Sequence, residues 1–220
     1  MNNWRDQLKN ETALIAYLDF ANMIHWQRRL GWRFRVEDLI YEIKSLGNIP
    51  EVRIYFGVDT KKHIQSESFH RRLRKAGAIV IAKPVKYIKK TVSDALLFKQ
   101  TTLTLFNGDI TKNIQAIVEQ IRDLGITIEE QKCNFDVEMA LDMLDATDRI
   151  SGIILFSGDS DLRAPLERLK LRGKRIYVVG VRGMTSKELH EVKDLYIDFG
   201  KLYRGKRTYI SENPANGGTA

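Results

Sequence analysis

SGIILFSGDSDLRAPLERLKLRGKRIYVVGV, residues 151–181, decides the architecture. Residues 151–159 hold an unbroken apolar run, Ile153 to Phe156, and end at Asp159. A strand with one wet face would alternate apolar and polar residues. This one does not, so it is expected to be buried on both faces. Residues 162–173 have the spacing of a helix, with Pro165 tolerated inside the first turn because the backbone N–H it lacks has no partner there. Residues 174–181 form a second buried strand. A strand, a crossover helix and another fully apolar strand make a parallel pair, the unit of a sheet covered by helices on both sides.

The same alternation extends toward the N-terminus. Residues 12–19, TALIAYLD, are a buried strand ending at Asp19. Residues 35–47 are a helix with Val36, Leu39, Ile40, Ile43 and Leu46 on one side and Gly47 as its stop. A strand at 51–58, a basic helix at 61–77 and a strand at 78–85 follow. Residues 135–146 form a helix whose apolar stripe is Val137, Ala140, Leu141 and Leu144. A helix at 185–194 and a strand at 195–199 close the pattern. The fold class is α/β, a three-layer α/β/α sandwich with a mostly parallel central sheet. The core domain spans 12–200, with 1–11 a leader and 201–220 a flexible basic and polar tail. Residues 85–131 interrupt the pattern as an insertion. A hairpin turning at Asn107-Gly108 and a helix over 110–125 are expected in it.

The 220 residues are 43% hydrophobic and 29% charged, the balance of a globular domain. No run of 18 apolar residues is present, so no membrane partner is expected. The single cysteine, Cys133, has no internal partner, which fits a reducing cytoplasm. The four histidines show no metal spacing, and His63 and His70, on the basic helix, read as surface residues. Lysine and arginine outnumber aspartate and glutamate 36 to 28, a net charge of +8, which favours a polyanionic partner, nucleic acid first.

In an open parallel sheet, ligands bind beyond the carboxyl ends of the strands where strand order reverses. Asp19 ends one strand, Asp159 and Asp161 follow another, and Asp136 opens the helix before it. Carboxylates gathered there raise each other's pKa unless a cation compensates. An all-oxygen set suits Mg²⁺ or Mn²⁺ and not zinc. Such ions clamp a phosphodiester and lower the pKa of an attacking water. Each acid also has a plainer reading. Asp161 or Ser160 suits a helix cap, and Asp136 complements a helix N-terminus. Asp19, ending an apolar strand, offers no evident cap role. Ser160 as an esterase nucleophile would need a late Asp-x-x-His, which is absent.

LDFANMIHW, with Asp19-x-x-Asn22, then KCNFDVEMALDML, with Lys132, Asp136 and Asp142, then FSGDSDL, in this order, resemble the NYN domain, the LabA-like branch of the PIN-like ribonuclease superfamily. The resemblance covers roughly residues 12–200 by its motif order. It implies a divalent-metal-dependent nuclease acting on RNA. Carried over by position, Asp19, Asp136, Asp159 and Asp161 are the metal-holding acids, and Asn22 steadies the first acid or a water. Ser157 hydrogen-bonds within the SGDSD loop, and Asp142 matches the second acid of the helix motif. The helix motif is one residue longer before its acid than the family's, so Lys132 stays outside the catalytic set.

The expected activity is hydrolysis of RNA phosphodiester bonds. Arg71, Arg72 and Arg74 on the basic helix, Lys86, Lys89 and Lys90 after the third strand, and Arg163 one turn from the acids are candidate backbone contacts. A homo-oligomer is compatible with the sequence. Two rival classes stay open: a non-catalytic RNA-binding or regulatory module on the same fold, and a small-phosphoester hydrolase with a closed pocket.

Overall fold

The computed structural model describes residues 4–91, 120, 124 and 127–210. The chain divides into two compact units, one made of Met1–Lys83 with Asn134–Ala220, the other of Pro84–Cys133.

In the first unit α1 (Trp4–Lys9) leads into β1 (Leu14–Asp19), α2 (Phe20–Leu30) and β2 (Trp32–Arg33). Next come α3 (Val36–Lys44), β3 (Glu51–Val58), α4 (His63–Lys75) and β4 (Ile79–Pro84). In the second unit β5 (Lys86–Thr91) pairs antiparallel with β6 (Thr127–Lys132). The chain returns to the first unit as α5 (Asp136–Asp145), β7 (Gly152–Phe156), α6 (Arg163–Leu171), β8 (Arg175–Gly180), α7 (Lys187–Val192) and β9 (Leu195–Asp198). It ends in α8 (Phe199–Leu202) and β10 (Thr208–Tyr209).

Six strands form one sheet in the order β4-β3-β1-β7-β8-β9. β1 is parallel to β3 and β7, β7 to β8, and β8 to β9. The chain builds outward from β1 to one side through β3 and β4, then returns to build the other side from β7. The order therefore reverses between β1 and β7, the place where a crevice opens beyond the strand ends.

Alternation along the strands fills two cores. Leu14, Ala16 and Leu18 of β1 join Val52, Ile54, Ile154, Phe156, Tyr177 and Val179 in a cluster with Met23, Trp26, Leu39, Ile40, Ile43 and Leu73. The intervening Ile15, Tyr17, Ile153, Leu155, Ile176 and Val178 are equally buried and point to the opposite face, because successive side chains alternate. On that face the Tyr17 hydroxyl donates to the Asp142 carbonyl on α5 at 3.1 Å. Each such side chain contributes about 1.5–3 kcal/mol relative to exposure, so a strand buried on both sides cannot slip register cheaply. The result is the expected three-layer α/β/α sandwich.

Several details depart from the sequence reading. The stretch between residues 19 and 35, where no element is expected, is mostly α2, capped by Asp19 and stopped by Gly31 at φ 72°. The apolar stripe of α5 faces outward: Val137 and Leu141 are 69% and 56% exposed, while Met139 and Met143 are buried. Asp142 sets that rotation, since it pairs with Arg53 at 3.1 Å and accepts from the Tyr55 hydroxyl at 2.5 Å.

The leader is a helix with Leu8 fully buried. The tail is packed as far as residue 210. Phe199 and Tyr203 stack with Trp32, the Arg207 guanidinium lies over the Trp32 ring, and β10 pairs antiparallel with β2. Polarity in the last residues conceals this, because the aromatic partners lie some 170 positions apart in the chain.

His70 is buried, not on the surface. It is 7% exposed and meets Phe56 edge-on at 5.2 Å. β5 finds its partner in β6, where the sequence shows no element. The Asn107-Gly108 turn and nearly all of the helix expected over 110–125 lie outside the described residues.

Candidate active site

Three chain segments deliver acids to the carboxyl edge of the sheet. β1 ends at Asp19, whose Oδ1 accepts the Asn22 backbone N–H at 3.1 Å and so caps α2. Sequence alone gives Asp19 no cap role; it has one, and its Oδ2 accepts from the Ser157 hydroxyl at 2.9 Å. β7 passes through Ser157 and Gly158 to Asp159, which caps a short 3₁₀ turn by accepting the Asp161 N–H at 3.0 Å. α5 opens with Asp136, whose N–H donates to Asn134 Oδ1 at 2.7 Å.

One carboxylate oxygen each from Asp136, Asp159 and Asp161 lies within 4.8 Å of the others, the spacing a single cation can bridge. Asp19 stands beside this trio. Ser157 is fully buried and joins the two groups, donating to Asp19 while its oxygen accepts the Asp159 N–H at 3.1 Å. Asn22 holds the same loop from the other side. Its Oδ1 accepts the Gly158 N–H and the Nε1–H of the buried Trp26, each at 3.0 Å.

The electrostatics match the crowding. The Asp19 carboxyl is pushed above the usual range, chiefly by burial. The charges of Asp136 and Asp159 add to that, while the bonds from Asn22 and Ser157 work against it. Asp136 is pushed the same way by burial and by Asp159, Asp161 and Glu138. A bound cation reverses this logic, since its charge favours every ionised carboxylate around it. The donors are all hard oxygens, which fits Mg²⁺ or Mn²⁺.

The other sequence candidates fall elsewhere. Asp142 belongs to a half-buried network with Arg53 and Tyr55 of β3 and is not one of the trio. Arg163 is engaged by Glu167 at 2.7 Å and Glu191 at 3.1 Å. Arg72 pairs with Glu37 at 2.7 Å, whereas Arg71 and Arg74 are exposed on α4. Lys86 and Lys89 are exposed on β5 of the second unit, and Lys90 belongs to the same strand.

Sequence reasoning missed Lys83. Its ammonium sits 2.5 Å from Glu138 and 4.6 Å over the Phe135 ring, at the start of the helix that carries Asp136. Lys83 and Glu138 are 55 residues apart, and no local pattern links them.

Gly158 does more than fill a place in a motif. A β-carbon there would lie 1.9 Å from the Met184 carbonyl oxygen, and the Ser186 N–H donates to the Gly158 carbonyl at 3.0 Å. Only glycine admits so close a backbone approach. Gly158→Ala is expected to destabilise the fold by about 1–3 kcal/mol, the usual cost of overpacking, and to displace Asp159. Chemical denaturation reads the first effect and loss of metal-induced stabilisation the second. A variant as stable and as metal-responsive as wild type would remove this role.

The NYN domain family matches residues 98–202, which include Asp136, Ser157, Asp159 and Asp161 and leave Asp19 and Asn22 outside. The chain is 24% identical over 191 residues to the low amplitude and bright protein LabA of Synechococcus elongatus, covering 87% of this chain and 86% of that one. It also resembles the crystal structure of a protein of unknown function from Vibrio parahaemolyticus. The TM-score is 0.59 and the identity 20%, with 88% of this chain and 96% of the other covered; at that identity the likeness speaks for the fold alone. The motif order, the sheet and these matches point the same way: residues 98–202 match the NYN domain family, and the chain is similar to LabA over most of its length.

Proposed function

We propose that this protein is a divalent-metal-dependent ribonuclease. The observation that carries the reading is the convergence of Asp136, Asp159 and Asp161 beside Asp19 at the strand-order reversal. The match to the NYN domain over residues 98–202 supports RNA as the substrate class, and the net charge of +8 supports a polyanion.

Asp136, Asp159 and Asp161 would hold the ion, with Asp19 adjoining. When bound, Mg²⁺ or Mn²⁺ supplies Lewis acidity and a nucleophile at neutral pH. The chain's own residues prepare the place. Ser157 and Asn22 lock the carboxylate of Asp19 and the 157–159 loop into one geometry, so no reorganisation is needed on binding. The raised pKa values of Asp19 and Asp136 make protons compete with the cation, so activity rises with pH through the acid range. Arg71 and Arg74 on α4 offer exposed positive charge to the phosphate backbone, and on the second unit Lys86 and Lys89 are exposed. Among the described residues no helix is long and apolar enough to cross a membrane, and we assign the activity to the cytoplasm.

The test is cleavage of end-labelled single-stranded RNA with Mn²⁺, Mg²⁺ or EDTA. Cutting in either metal, abolished by EDTA, is the expected result. RNA that is bound but never cut would overturn catalysis and favour a binding module. Inhibition by mononucleotides at low concentration would favour a small-phosphoester hydrolase instead.

A further inference from the structure

The apolar stripe of α5, Val137, Ala140, Leu141 and Leu144, turns away from the sheet, with Ala140 and Leu144 half-buried. Val137 and Leu141 are 69% and 56% exposed, and Leu171 of the neighbouring α6 is 80% exposed. Between the helices runs a groove of about 370 Å³ lined by Ala140, Leu144, Ala164, Pro165 and Leu171, with Glu167 and Arg168 at its rim. A lone exposed leucine is ordinary, but a contiguous apolar groove across two helices marks an interaction surface.

The charges on the two helices select the occupant. The outer ridge of α5 continues from Val137 and Leu141 to Asp145, with Asp148 just beyond. The outer ridge of α6 runs from Ala164 to Arg168 and Arg172. These are rows of residues four apart, the ridges that interdigitate when helices pack. Asp145, Asp148 and Arg168 are exposed and form no ion pair among the described residues. One helix thus ends in unpaired acids, and its neighbour carries the unpaired Arg168 and also Arg172, whose guanidinium donates to the Thr147 hydroxyl at 3.2 Å.

Both helices start at the same edge, because Asp136 and Asp161 bring their carboxylates within 4.8 Å. They therefore run in the same direction. Asp145 and Arg172 each stand nine positions after the first residue of their helix, 136 and 163. A twofold axis lying along the helices sets α5 of one copy over α6 of the other at matching height, acid against base. An axis across the helices would set α5 antiparallel to the partner copy's α5, where Asp145 would meet no lysine or arginine.

We infer that this face is the interface of a homodimer, with Val137, Leu141 and Leu171 buried and Asp145 facing the partner's Arg168 and the partner's Arg172. The axis places both acidic edges on the same side of the dimer, so one polyanion can meet both.

Sedimentation equilibrium of the full chain tests this at micromolar concentration. Wild type is expected at twice the 25.4 kDa chain mass. Leu141→Asp and Leu171→Glu, both at exposed positions, are expected to be folded monomers by circular dichroism. Asp145→Arg is expected to weaken the dimer about tenfold, and adding Arg168→Glu to the same chain to recover most of that loss. A wild type that stays monomeric at all concentrations overturns the inference. So does a dimer that survives Leu141→Asp and Leu171→Glu, or a double variant no tighter than the single one. None of these readouts depends on nuclease activity.

Discussion

Asp159→Asn is expected to lower the proposed metal-dependent RNA cleavage by about 10²-fold or more, the scale at which charge-stabilising groups act in active sites, and to leave RNA affinity within about twofold. Asparagine keeps the carbonyl oxygen that accepts the Asp161 N–H, so the 3₁₀ turn and the start of α6 stay in place. What is lost is one negative charge of the trio. RNA affinity, assigned in the proposal to lysines and arginines, is expected to be indifferent to that charge or to gain slightly from its removal. Single-turnover cleavage and filter binding, run side by side, separate the two effects. Equal cleavage rates for variant and wild type would remove Asp159 from the chemistry.

Asp136→Asn acts oppositely on stability and on metal response. The carboxyl of Asp136 is raised by burial and by the charges of Asp159, Asp161 and Glu138. A raised carboxyl favours the fold while protonated. That contribution is fully present below the ordinary aspartate value of about 3.9 and is lost as pH rises through the folded-state value. Metal-free wild type is therefore strained at pH 7 by repulsion that the asparagine removes.

Asp136 is only part-buried, and solvent screens much of the repulsion. The variant's midpoint is expected to be about 2 °C higher at pH 7 in EDTA, a modest change for a chain of this length. The difference should vanish near pH 3, where wild type is protonated. Adding Mn²⁺ is expected to reverse the ranking, because an ion held by the trio would stabilise wild type by mass action and bind the variant more weakly. At 100-fold excess over its dissociation constant a ligand contributes about 2.7 kcal/mol. Thermal melts at the two pH values, with and without Mn²⁺, check this. A variant less stable than wild type in EDTA at pH 7 would show that the acids do not repel.

The parallel sheet is readable because β1, β7 and β8 are apolar on both faces, a pattern that suits a strand covered by helices on each side and wastes apolar surface anywhere else. The acids are readable because they fall at strand ends, and strand ends of a parallel sheet share one edge. α2 escapes a reading that sees Asp19 as chemistry alone, although Asp19 and Gly31 mark its limits. A single carboxylate with two oxygens serves both purposes: one caps the helix and the other faces Ser157. Lys83 and the packed C-terminal segment are hidden for another reason. Their partners are remote in the chain, and no local spacing encodes them.

Sequence alone determined the layer architecture, the edge where the acids gather and the hard-oxygen character of their donors. Each follows from local pattern: apolar runs, helical spacing and residue type at strand ends. Tertiary structure decided which acids come within one ion's reach, that Asp142 serves Arg53 and Tyr55 instead, and which side of α5 faces out. Periodicity says that a helix has an apolar stripe. It does not say which face turns to the sheet, because that depends on a half-buried ion pair and two tyrosine hydroxyls whose other halves lie on β1 and β3.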